Sequence, residues 1–203
     1  FSDQPLSPEQ ESFLKQILGG GQHLLGLVNE VLDLSKIESG RFDVALETFD
    51  PTAAMRESLR LVQPLADERG ITINAERGIA PGTLVKADPS RLKQVFLNVL
   101  SNAVKYNRDK GSVRIDASLS ANAMLRISVS DTGPGIAAAR HEEVFQPFSR
   151  LSAESSKIEG TGIGLTISRQ LIEIMGGRLD FESTEGEGST FWVEIPIAEA
   201  EAL

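Results

Sequence analysis

Apolar residues recur at intervals of seven near the start of the chain, at Ile17, Leu24 and Val31, at Leu18, Leu25 and Leu32, and at Leu14 and Val28. This spacing predicts one long helix whose stripe needs a partner helix. Ser7-Pro8-Glu9 supplies an N-cap, a first-turn proline and an early acid at its start, and Gly40 marks its end. Gly19, Gly20 and Gly21 interrupt the stripe, each costing about 1 kcal/mol relative to Ala. The helix is therefore expected to depend on packing and to bend there.

Beyond Gly40 the period shifts to two, with Phe42, Val44 and Leu46 on one face. Pro51 then opens a helical pattern through Met55, Leu59 and Val62 to Gly70. Strands are expected at Ile71 to Ala75 and Thr83 to Ala87, before Asp88-Pro89 caps a helix from Ser90 to about Tyr106. Val113 to Leu119 and Met124 to Ser130 read as longer strands joined by residues 120–123. Residues 132–160 are rich in Gly, Ser, Pro and charge and too long for an ordinary connection, which predicts a functional loop with a short helical turn. Thr161 starts a helix that ends at Gly176-Gly177. Strands Arg178 to Ser183 and Thr190 to Ile195 flank a tight Glu185-Gly186-Glu187-Gly188 turn. These elements predict an α+β fold, a two-layer α/β sandwich whose mixed sheet is covered by helices on one face and preceded by the long helix. The boundary near Gly40 divides a helical segment, 1–40, from the main domain, 41–203.

With 203 residues, 40% of them hydrophobic and 24% charged, the chain can bury a sizeable core. Acidic residues outnumber basic ones 29 to 20, and the net charge of -9 argues against nucleic acid as a partner and against direct membrane contact. Any anion must be held locally. The absence of cysteine removes thiolate metal sites, disulfides and a cysteine nucleophile, and fits a reducing cytosol. No run of about 18 apolar residues and no signal-peptide pattern occurs, so the expected location is cytoplasmic. Membrane anchoring of a longer parent protein stays open, because a start at Phe1 without Met suggests a segment of one.

Candidate chemistry begins on the helix after Asp88. At about 100° per residue, Arg91, Gln94, Asn98, Asn102 and Lys105 share one face opposite an apolar stripe. Two Asn at i and i+4 are poor helix formers, which points to a ligand. Neutral amide oxygens at Asn98 and Asn102 suit a magnesium ion already half-coordinated by polyphosphate. The same pattern also fits an amphipathic helix with a plain polar face.

Asp131-Thr132-Gly133-Pro134-Gly135-Ile136 follows an apolar strand, where an acid can accept from an exocyclic amine and glycines admit something flat. An Asx-capped β-turn is the alternative. Gly160-Thr161-Gly162-Ile163-Gly164-Leu165 leads into a helix, whose free N–H groups and dipole attract phosphate. Its spacing matches neither the dinucleotide fingerprint nor the P-loop, and an ordinary helix entry also fits. Arg150 and Lys157 lie between the two stretches, as mobile positive charge over a triphosphate or as solvated loop charges.

Taken in order, four segments resemble the catalytic region of sensor histidine kinases, in the ATPase superfamily shared with gyrase and MutL proteins. They are ADPSRLKQVFLNVLSNAVKYN as the asparagine box, VSDTGPGI and GTGIGLTISRQLIEIMGG as glycine boxes, and VFQPFSR as the phenylalanine box. HLLGLVNEVLDLSKIESG resembles the second helix of that family's dimerisation hairpin.

The resemblance implies ATP and Mg2+ as ligands, with Asn98 and Asn102 near the metal, Lys105 on phosphate, Tyr106 beside adenine and Asp131 on its amine. It implies that Gly133, Gly135, Gly162, Gly164 and Leu165 shape the lid and phosphate cradle, that Ile136 and Thr161 also belong to the ATP-binding set, that Thr190 sits near the base, and that Arg150 approaches the γ-phosphate. It further implies a response regulator receiver domain and a homodimer through the hairpin helices as partners. The family's phosphoacceptor box, His-Glu followed by Arg-x-Pro, is absent from the chain, so no catalytic histidine is assigned. His23 reads as a helix-surface residue and His141 as an exposed loop residue. The implied function is transfer of the γ-phosphoryl group to a histidine supplied upstream. A degenerate kinase that only holds nucleotide is the alternative, and a hydrolase of the gyrase kind would want a carboxylate where Asn98 stands.

Overall fold

Ser7 caps the first helix, α1 (Pro8–Glu38), through a capping box: its hydroxyl accepts from the Gln10 amide at 3.2 Å and the Gln10 side chain accepts from the Ser7 amide at 2.9 Å. The computed structural model describes residues 6–120, 122–149 and 161–198, apart from the side chains of Pro8, Lys15, Gln22, His23, Glu76 and Arg77. It divides into two compact units, Phe1–Phe42 and Asp43–Leu203. In the first, α1 runs as one continuous helix through Gly19-Gly20-Gly21. Leu14, Ile17, Leu18, Leu24, Leu25, Val28, Val31 and Leu32 are all exposed along it.

In the second unit, β2 (Thr72–Arg77), β4 (Ser112–Leu119), β5 (Met124–Asp131), β6 (Arg178–Thr184) and β7 (Gly188–Pro196) form one sheet in the order β2-β4-β5-β7-β6. Only the β2–β4 pair is parallel, so the sheet is mixed. β1 (Glu47–Phe49) pairs antiparallel with β3 (Val85–Ala87) in a separate two-stranded ribbon. The alternation at Phe42 to Leu46 therefore does not form the strand. The Asp88 carboxylate takes the Ala45 amide at 3.0 Å, removing it from any ladder, and pairing starts at Glu47.

α2 (Thr52–Glu68), α3 (Pro89–Lys105) and α4 (Gly164–Ile174) complete the unit, with α3 against β5 and α4 against β6 and β7. Asp88 also caps α3, its other oxygen accepting from Ser90 and Arg91 amides at 3.0 and 3.1 Å. Leu92, Val95, Phe96, Val99, Leu100, Ala103 and Val104 are buried along α3. They meet Leu125, Ile127 and Val129 of β5, and Phe191, Val193 and Ile195 of β7 continue the same buried face of the sheet. The other face is polar, with Arg126 ion-paired to Glu194 at 2.8 Å and stacked over Trp192 at 4.8 Å.

The C-terminus of α3 is closed from α2. The Arg69 guanidinium donates to the carbonyls of Val104, Lys105 and Asn107 at 2.6, 2.7 and 2.6 Å and pairs with Asp109 at 3.0 Å. These bonds satisfy orphan carbonyls where Lys105 and Tyr106 emerge. Arg69→Ala is expected to destabilise the domain by about 2 kcal/mol, read as a lowered urea midpoint at unchanged slope. An unchanged midpoint would show that water replaces the guanidinium without loss.

Candidate nucleotide site

β5 ends at Asp131, directly opposite Ser189 on β7. Side chains alternate along strands, so Leu125, Ile127, Val129 and Asp131 share the helix-facing side, as do Ser189, Phe191 and Val193. Thr190 consequently faces the other way, its hydroxyl donating to Ser130 Oγ at 2.9 Å. Ser189, one residue earlier and buried, is the cross-strand neighbour of Asp131 on the helix-facing side, whereas Thr190 lies on the opposite face.

The Ser189 hydroxyl belongs to a small network. Ser183 Oγ accepts from the Ile136 amide at 2.8 Å, donates to the Gly188 carbonyl at 2.9 Å and lies 2.9 Å from Ser189 Oγ. A carbonyl only accepts, so the single Ser183 proton goes to Gly188 and Ser189 donates to Ser183. The remaining lone pairs of Ser189 are left beside Asp131 as acceptors. Sequence reasoning missed this residue because one step of register decides which hydroxyl faces the site.

Asp131 Oδ1 accepts from the Gly133 amide at 2.8 Å. Burial pushes its carboxyl above the ordinary carboxylate range, opposed by the backbone amides of Gly133 and Ser189 and by the Arg108 charge. Tyr106 caps α3 close by: a Cβ built on Gly133 meets Asp131 Oδ1 and the Tyr106 carbonyl, each at 2.7 Å. Gly135 packs on Thr184 and Glu185 of the β6–β7 turn, and Pro134 accepts from the Gly186 amide at 2.6 Å. Tyr106, Asp131, Gly133, Gly135 and Ile136 are thus brought together with Ser189 as one end of the site.

The second glycine stretch meets α3 at Asn98. A Cβ built on Gly164 would stand 2.5 and 2.6 Å from the Asn98 amide nitrogen and oxygen, so the missing side chain lets α4 begin directly against Asn98 as it is placed here. The Asn98 amide donates to Ser168 Oγ at 3.0 Å, tying α3 to α4. α4 has no side-chain N-cap, its first-turn N–H groups being left to another acceptor. Thr161 Oγ1 accepts from the Ile163 amide at 3.1 Å, and a Cβ built on Gly162 would stand 2.8 Å from the Ser149 carbonyl oxygen. Leu165 occupies the first turn and is half-buried. Asn102 and Lys105 follow Asn98 at one and two turns along α3, half-buried, with no side-chain hydrogen bond or ion pair among the described residues. Arg150, Lys157 and Gly160 lie outside the described residues.

The phenylalanine segment is anchored, not loose. Thr166 donates to the Phe145 carbonyl at 2.9 Å, and Arg169 stacks over the Phe145 ring at 4.7 Å. His141 is half-buried, its ring edge-on to Phe181 at 5.1 Å and its Nε2 3.0 Å from the Ile136 carbonyl. The reading of His141 as an exposed loop residue is thereby corrected; it packs the base of the loop.

The donor set fits a purine triphosphate: acceptors at one end, an uncapped helix start with close-packed glycine at the other, and unpaired amide and ammonium groups between. The sequence pattern of the family described as histidine kinase-, DNA gyrase B-, and HSP90-like ATPase matches residues 87–199. The chain belongs to this ATPase family. Its relatives are sensor histidine kinases, whose catalytic ATP-binding domain it carries. CikA, a circadian input-output histidine kinase of Synechococcus elongatus, is 37% identical over 95% of this chain and 26% of its own length. DivJ, a histidine protein kinase of Caulobacter vibrioides, is 36% identical over 95% of this chain and 32% of its own. The chain thus spans roughly a third or less of the curated relatives it matches. Among solved structures, full-length ShkA in complex with AMPPNP superposes with a TM-score of 0.82 at 34% identity, over 98% of this chain and 41% of that one. The nucleotide-free catalytic domain of ThkA gives 0.64 at 30% identity over 75% of this ATPase chain and 96% of that domain.

Proposed function

We propose that this chain binds Mg-ATP and donates its γ-phosphoryl group to a histidine of another segment, as the kinase region of a two-component system. One observation carries the reading: Gly164 seats the start of α4 on Asn98, so the phosphate end and the asparagine face of α3 are one surface. In this reading Asp131 and Ser189 accept from the purine amine, and Gly133, Gly135 and Ile136 give the base a flat backbone wall beside Tyr106. The N–H groups opening α4, with Thr161, Gly162, Gly164 and Leu165, cradle phosphate, and Lys105 adds charge. Arg150 is assigned to the γ-phosphate from its sequence position alone.

Asn102 and Asn98 are the residues that would hold magnesium through amide oxygens, Asn98 keeping its oxygen free while its nitrogen serves Ser168. Bound magnesium supplies neutralisation of charge on the phosphate oxygens. The chain's own part is positioning. An amide at Asn98 cannot take a proton from water, which disfavours hydrolysis as the main activity. The exposed stripe of α1 supports pairing with a second copy through hairpin helices, and a response regulator receiver domain is the proposed final acceptor.

The test is transfer in trans. The chain is incubated with γ-labelled ATP and a separate polypeptide carrying a phosphoacceptor hairpin with its His-Glu box. Acid-labile, base-stable label on that polypeptide is the expected result. Nucleotide binding with no label transferred would reduce the chain to a binding module, and steady phosphate release would revive hydrolysis.

A further inference from the structure

Arg108 follows α3 by three residues and stands outside every segment discussed so far as ligand-contacting. Its guanidinium nevertheless reaches into the purine end. Nε donates to the Thr132 carbonyl, and Nη2 donates to the carbonyls of Gly133 at 3.0 Å and Gly186 at 3.1 Å. The first of these contacts has a directed consequence. The Thr132 carbonyl and the Gly133 N–H belong to the same planar trans peptide and point in opposite directions. Arg108 holds one end of that unit while the other end donates to Asp131 Oδ1 at 2.8 Å.

The neighbouring Asn107, buried, fixes the same residue by its side chain: Asn107 Oδ1 accepts from Thr132 Oγ1 at 3.1 Å, and Thr132 Oγ1 accepts from the Ser112 amide at 2.9 Å. Thr132 is therefore gripped at its hydroxyl by a buried amide and at its carbonyl by a surface guanidinium. The third contact, to Gly186, joins the β6–β7 turn to the same assembly.

We infer that Arg108 is a positioning residue for nucleotide recognition: by holding the Thr132–Gly133 peptide it fixes the rotation of the Asp131 carboxylate that receives the purine amine. Polarisation runs along this line, since a cation on a carbonyl strengthens the N–H at the far side of the peptide. The positive charge also opposes the upward push of burial on the Asp131 carboxyl. Lys at this position keeps the charge and loses the fork, so it cannot span Thr132, Gly133 and Gly186 together. The inference rests on the assignment of Asp131 to the amine.

The experiment compares wild type, Arg108→Gln and Arg108→Lys by titration calorimetry with ATP and with inosine triphosphate, which carries a keto oxygen where adenine has the amine. Urea unfolding of each variant is measured alongside. Arg108→Gln is expected to lose about tenfold or more in ATP affinity, with Arg108→Lys intermediate and affinity for inosine triphosphate unchanged. Equal ATP affinity in all three proteins overturns the inference, as does a parallel fall for both nucleotides, which would mark a general effect on the fold. Failure of wild type to bind ATP at all is distinguishable from either, and rejects the assignment of the site itself. Because Arg108 is exposed, the conservative Arg108→Lys is expected to keep the wild-type urea midpoint and gives the decisive comparison should Arg108→Gln unfold.

Discussion

Replacing Asp131 by Asn is expected to abolish measurable ATP binding while leaving the domain folded. The amide oxygen in Asp131→Asn can still accept from the Gly133 N–H, so the turn survives. What changes is the free end of the group, where an acceptor oxygen becomes an NH2 donor, which under the proposed assignment faces the purine amine. A charged hydrogen bond is lost and two donors are left facing each other in a half-buried site. The sum is about 3 kcal/mol or more, at least a hundredfold in affinity. Calorimetric affinity equal to wild type would remove Asp131 from the base.

The same substitution has a second readout, with its sign set by burial. Folding raises the Asp131 carboxyl above its unfolded value, so the charged form is disfavoured in the folded chain. The resulting penalty is absent below the ordinary carboxylate pKa and complete above the raised one. Asp131→Asn lacks that penalty. Its melting temperature at neutral pH is expected to equal or exceed that of wild type, and the difference is expected to shrink as pH falls into the carboxylate range. ATP affinity of the wild type follows the opposite course, falling as pH drops through the raised value and Asp131 takes a proton. A melting temperature well below wild type at neutral pH would show that the carboxylate supports the fold instead of being tolerated for binding.

How far the sequence could be read follows from the range of the interactions involved. Ser7-Pro8 and Asp88-Pro89 announce helix starts because capping is settled within three residues. The apolar stripe of α3 and the alternation of β5 and β7 are likewise local in period, and their buried faces follow the expected positions. The parallel pairing of β2 with β4 was not legible, since β3 and α3 intervene and nothing in either strand names its partner. The alternation at Phe42 to Leu46 gives no strand for a similar reason, a distant Asp88 oxygen having claimed the Ala45 amide.

Within the site the split is similar. Asp131, the glycines and the asparagine face stand out by residue type and spacing. Ser189 was obscured by Thr190 beside it, because a two-residue period makes adjacent hydroxyls face opposite ways and only the Asp131 pairing fixes which is inward. Arg69 and Arg108 gave no signal at all: both act through guanidinium bonds to carbonyls, and a carbonyl has no residue type. His141 became legible only through Phe181, which arrives from another strand.

Gly135→Ala is expected to damage both stability and binding, for a reason that can be separated experimentally. Gly135 has φ of +68°, in the left-handed region, where a Cβ costs about 1 kcal/mol. A Cβ there also collides with the Thr184 carbonyl oxygen and stands 3.1 Å from the Glu185 Cα, both backbone atoms with no rotamer to yield. The first glycine stretch must then lift from the β6–β7 turn. That movement strains the Gly186 to Pro134 bond at 2.6 Å, the Ile136 to Ser183 bond at 2.8 Å and the Arg108 to Gly186 bond at 3.1 Å, all of which cross the same seam. The expected loss is about 3 kcal/mol or more, or a fall of about 10 °C in melting temperature for a domain of this size. Gly186→Ala is the matched control. Gly186 has φ of +88° but open space around its missing Cβ, so it carries the conformational cost without the collision. A melting temperature several degrees lower for Gly135→Ala than for Gly186→Ala, with ATP affinity lost at temperatures where the variant is still folded, identifies the seam as what holds the purine wall. Equal falls in the two variants would leave only left-handed strain, and the close packing of the first glycine stretch on the turn would then have no part in binding.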